Sequence, residues 1–109
     1  VEGKKLKVLG LEDLLIYLCV HGSKHRWGRL EWIFCVAVLI SNRSDIDWDV
    51  VINRAQNWHC FRMLLLGLYL VHDFLNVTLP SPVKKMTEQD TSLPMLAKKV
   101  RQELFSKAD

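Results

Sequence analysis

A chain of 109 residues, half of them apolar, holds one compact domain with a single core and little room for a second. A quarter of its residues are charged and 9% are aromatic, which excludes the low-hydrophobicity, high-charge profile of a disordered chain. The net charge of +3 is dispersed from Lys4, Lys5 and Lys7 through Lys24, Arg26 and Arg29 to Lys84, Lys85, Lys98 and Lys99, and so disfavours an extended nucleic-acid interface.

Residues 1–9 alternate in character, Leu6 and Val8 against Lys5 and Lys7, and residues 1–10 are expected to be an extended lead-in from an upstream domain. The helical domain is expected over residues 11–109. From Leu11 the period becomes helical: Leu11, Leu14, Leu15, Leu18, His21 and His25 recur at three- and four-residue intervals, with Glu12 and Asp13 near the positive helix end. A helix over residues 11–25 is predicted. Gly22 inside it either costs about 1 kcal/mol relative to alanine or ends the helix there. Residues 29–40 are apolar on every side, which predicts a second helix in the middle of a bundle.

Asp47 is the expected N-cap of a third helix, with Trp48, Val51, Ile52 and Ala55 on one face. A break at Trp58 and His59 precedes a fourth helix, in which Phe61, Leu64, Leu65, Leu68, His72 and Leu75 keep helical spacing up to a cap at Asn76. Leu79-Pro80-Ser81-Pro82 stops it. Ser81 is expected to cap, and Pro82 to begin, a short fifth helix over residues 82–89. A sixth starts at Thr91 or Ser92, with Leu93, Leu96, Ala97, Val100 and Leu104 as its apolar seam. The fold class implied is all-α, a bundle of five to six helices behind the short extended lead-in.

The longest apolar run, residues 32–40, is nine residues, against the roughly 20 that span a bilayer, so no membrane partner is expected. Cys19, Cys35 and Cys60 are an odd number, contain no C-x-x-C pair and suit a reducing compartment, which places the expectation in the cytoplasm.

Chemistry concentrates in His21-Gly22-Ser23-Lys24-His25-Arg26-Trp27. If the helix continues past Gly22, His21 and His25 lie one turn apart on one face. That is zinc-ligand spacing, but the third protein ligand such a site needs is missing from the pattern, and no metal ligand is assigned. No nucleophile and orienting acid stand beside the histidines either, so no residue is assigned as catalytic. Lys24, Arg26 and Arg29 form either a local anion site or a solvated face. His72-Asp73 alone reads as a helix terminus. Trp27, Trp32, Trp48 and Trp58 are spaced as core or helix-junction anchors. The Walker A loop, the G-x-G-x-x-G turn and the G-x-S-x-G elbow are all missing from the sequence.

The stretch from Leu11 to Trp32, with its His-Gly-x-Lys-His-x-Trp motif followed by Leu30-Glu31-Trp32, resembles the segment after the catalytic domain in uncharacterised nucleotidyltransferases of the polymerase-β-like superfamily. The likeness runs on through Asp47-Trp48, Leu64-Leu65-Leu66-Gly67-Leu68 and Leu79-Pro80, covering roughly residues 6–104. In that family an upstream α/β domain carries a Gly-Ser turn followed by an Asp-x-Asp pair, which bind a nucleoside triphosphate and divalent metal, Mg2+, for transfer of a nucleoside monophosphate. Asp45, Asp47 and Asp49 match the pair's spacing without a Gly-Ser turn leading into them. The resemblance therefore implies a C-terminal helical part that packs on the upstream catalytic domain and helps shape its substrate or nucleotide cleft. It points to His21, Lys24 and His25, with Arg29 beside them, as substrate-binding groups. Cys35 stands where an acid is expected. The alternative is a free-standing helical interaction or oligomerisation module, which would make a homo-oligomer the partner.

Overall fold

The computed structural model describes residues 10–42 and 45–106 of the chain. Among these residues there are six helices and no strand, an all-α bundle. They are α1 (Leu11–Lys24), α2 (Leu30–Asn42), α3 (Trp48–Asn57), α4 (Phe61–Leu75), α5 (Ser81–Gln89) and α6 (Leu93–Ser106). The expected lead-in, apart from Gly10, lies outside the described residues. None of the described helices is long and apolar enough to cross a membrane.

Several helix ends follow from single residues. Asp47 is the N-cap of α3, its carboxylate accepting the Val50 N–H at 3.3 Å, while its own N–H donates to Glu12 of α1 at 2.9 Å. Asn76 ends α4 in the left-handed region at φ 59°, its N–H donating to the His72 carbonyl. The start of α5 differs from expectation. Pro80 takes the cap position and Ser81 is the first helical residue, with no side-chain cap.

The larger correction concerns which helix is central. It is α4, which packs against each of the other five and buries Leu64, Leu65, Leu68, Leu70 and Val71. The helix expected there, α2, buries only Ile33, Val36 and Ala37 and leaves Phe34 and Val38 about half exposed. Apolar content alone does not distinguish a helix covered on all sides from one whose apolar face is bare. Leu14 and Leu18 of α1 adjoin Phe34 and Val38 around a shallow apolar hollow.

Whereas Trp58, the C-cap residue of α3, is 54% exposed, Trp27 is the largest fully buried side chain. Two glycines make room for it. A Cβ on Gly22 would come within 2.5 Å of the indole Cε3 and Cη2, and one on Gly67 would lie 3.1 Å from Cζ2 and 2.6 Å from Cys19 Sγ. Gly22 therefore does not end α1; it is a buried helical position where the Trp27 ring lies too close for a side chain. Cys19 is fully buried against Gly67, and that burial pushes its thiol well above the ordinary range. Surface ion pairs stitch the periphery, Arg54 to Asp13 between α3 and α1 and Arg101 to Asp73 between α6 and α4.

Candidate functional site

The turn between α1 and α2 sets the geometry of the candidate site. Arg26 N–H donates to the Ser23 carbonyl at 3.1 Å and Trp27 N–H to the Gly22 carbonyl at 2.7 Å, the paired bonds of a Schellman ending. Arg26 occupies the left-handed position usually given to glycine, at φ 54°, and Trp27 follows at φ 52°. Each costs about 1–2 kcal/mol of backbone strain. The motif commonly carries a contact between its last residue and the helix three positions before the end; here it is the Trp27 ring laid over Gly22. The turn thus drives the indole inward and turns the residues on either side outward.

On the outer face, His21 and His25 do lie one turn apart, because α1 continues past Gly22. Their rings are 4.7 Å apart, and both meet Trp32 of α2, at 5.1 Å and 5.3 Å between centroids. Tyr17 stacks on His21 at 5.9 Å. His21 is half-buried, His25 is exposed, and the four rings form a continuous aromatic surface. Lys24 stands exposed in the last turn of α1.

Arg29 lies outside the helix expected to hold it and forms a two-pronged bond with Glu31, at 3.1 Å and 2.9 Å. That bond holds the Glu31 carboxyl below the usual carboxylate range and raises Arg29 further. The expected group of four is therefore divided. Two histidines share a surface with Trp32, Lys24 flanks it, and Arg29 is neutralised locally. Two aromatic partners, Tyr17 and Trp32, were missed by reading one helix at a time, although Tyr17 stands four residues before His21.

Among the described residues, no three His, Cys, Asp or Glu side chains converge as metal ligands would. A Mg2+ site needs carboxylate oxygens gathered around one point. Asp47 instead caps α3, and Gly22-Ser23 is helical rather than a phosphate-binding turn. The described residues of this chain do not fit the implied metal. His72 and Asp73 are likewise structural: His72 Nδ1 lies 3.1 Å from the Val77 carbonyl oxygen, and Asp73 accepts from Arg101 at 2.7 Å. Cys35 is exposed on α2, away from the core.

A family model described as an uncharacterised nucleotidyltransferase matches residues 1–76. The match ends at Asn76, the cap of α4, so α5 and α6 lie beyond it. No curated protein and no solved structure matches the chain.

Proposed function

Because the chain belongs to this uncharacterised nucleotidyltransferase family, we propose that it forms the helical C-terminal part of such an enzyme, presenting the α1–α2 end to the nucleotide or acceptor cleft. The observation that carries the reading is the coincidence of the family match with the outer surface of His21, His25 and Trp32, all within it. Aromatic and imidazole faces flanked by Lys24 suit a nucleobase and its phosphates: stacking contributes about 1–3 kcal/mol per base, and a cation favours the anion. The Gly-Ser turn, the Asp-x-Asp pair and Mg2+ belong, on this reading, to the α/β domain preceding the helices. The free thiols of this chain, Cys19, Cys35 and Cys60, fit a reducing, cytoplasmic setting.

Titration of the chain with ATP and Mg2+, followed by NMR, tests the assignment. Saturable shifts of the Trp32 indole and of the His21 and His25 rings are expected; unmoved ring signals with each of the four common nucleoside triphosphates would contradict it.

The bare face of α2 supports the packing half of the proposal. Phe34 and Val38, with Leu14 and Leu18, form an apolar surface suited to another domain. A second reading, the oligomerisation module, rests on the same residues. Without its covering domain the chain is expected to self-associate, and Phe34→Asp to restore a monomer in light scattering. A wild-type monomer at high concentration would remove the support for both.

A further inference from the structure

On the inner side of the same turn is a pocket of about 390 Å3, lined by Ser23 from the last turn of α1, by Arg26 and Trp27 from the α1–α2 turn, by Leu66 of α4, and by Leu96 and Lys99 of α6. None of His21, Lys24, His25 or Arg29 belongs to it. Its size lies in the range of small-ligand sites. Two polar atoms in its lining residues, the Trp27 indole Nε1 and the Ser23 hydroxyl, are buried without a hydrogen-bond partner. Buried polar groups are nearly always paired, and leaving one unpaired costs about 1–3 kcal/mol. An indole N–H can only donate. Its missing partner is an acceptor.

The charges select the kind of acceptor. Arg26 and Lys99 are both exposed at this pocket, and among the described residues neither is engaged by an ion pair. Glu103 supplies one opposing carboxylate, leaving the lining with two positive charges against one negative. Arg26 is also the residue held at φ 54°, where glycine would relieve the strain. A guanidinium kept at that cost is explained by what its side chain does. The remaining wall is apolar, from Leu66, Leu96 and Val100.

The geometry points to a binding site for a phosphate monoester with an apolar body, its phosphate held by Arg26 and Lys99 and its body against Leu66 and Leu96, with the Trp27 N–H and the Ser23 hydroxyl, closed to solvent in this structure, becoming partners of the phosphate as the ligand enters. The site does not depend on the nucleotidyl-transfer reading. It joins the family-matched helices to α6, which lies outside the match.

Inorganic phosphate and phenyl phosphate are the probes, with the Trp27 indole N–H resonance as the signal and sodium chloride at matched ionic strength as the control. Phosphate is expected to shift that resonance saturably, and phenyl phosphate to bind several-fold more tightly. Arg26→Gly removes the cation while relieving the positive φ, so the fold is retained; Lys99→Gln removes the other from an exposed helix face. Each variant is expected to weaken binding roughly tenfold, as loss of a charge-assisted contact does. An equal shift with chloride, or unchanged affinity in both variants, overturns the site. So does phenyl phosphate binding no better than phosphate, for the apolar half.

Discussion

Trp27→Ala is expected to cost about 3–5 kcal/mol of folding stability, the range for emptying a large aromatic site in a core. The indole is 1% exposed and lies where α1, α4 and the α1–α2 turn meet. Its removal leaves a cavity between Gly22 and Gly67 that two helical backbones cannot readily close. The coupled substitution is more telling. Gly22→Ala would gain about 1 kcal/mol in an exposed helix, from lower backbone entropy in the unfolded chain. Here the new methyl would press on Cε3 and Cη2 of Trp27, and overpacking of this kind costs about 1–3 kcal/mol. In the Trp27→Ala background the ring is absent, and Gly22→Ala is expected to stabilise. Urea unfolding of the four proteins in the cycle measures the change of sign. A Gly22→Ala effect of the same sign in both backgrounds would show that the glycine is there for some other reason.

That pairing also marks where sequence reasoning stopped. Helical periodicity and caps are local, so the six helices, the Asp47 cap and the Asn76 ending were all legible from residues within a turn or two of one another. Gly22 was visible as an anomaly with two explanations. Only the position of Trp27, five residues on and folded back by two left-handed residues, decides between them. The same limit explains the misplaced centre of the bundle. The apolar stretch in α2 and that in α4 look alike in one dimension, and which is surrounded depends on how α5 and α6 return across α4 rather than α2.

For the candidate site, the spacing of His21 and His25 correctly put their rings on one face, since it follows from helix geometry alone. Trp32 joins them across a turn whose direction no spacing rule supplies. Arg29 looked equivalent to Arg26, three residues apart in one basic cluster. The turn separates them: Arg29 meets Glu31 two residues on, while Arg26 lines the pocket with Lys99 from the far end of the chain. A contact across that sequence distance has no local signature.

The proposal that the α1–α2 end serves the nucleotide is tested most directly by transfer of a nucleoside monophosphate from its triphosphate. The assay uses the full-length protein, which on this proposal carries both these helices and a domain with the Gly-Ser and Asp-x-Asp motif. Both His21 and His25 are replaced by alanine, which removes the imidazole faces next to Trp32 from the surface rather than the core. Misplacing a substrate by about 1 Å costs on the order of 100-fold in rate. The expected result is a fall of about 100-fold in kcat/KM, with the unfolding free energy in urea held within about 0.5 kcal/mol of wild type, as for surface changes. An unchanged kcat/KM in a folded double variant would contradict the account.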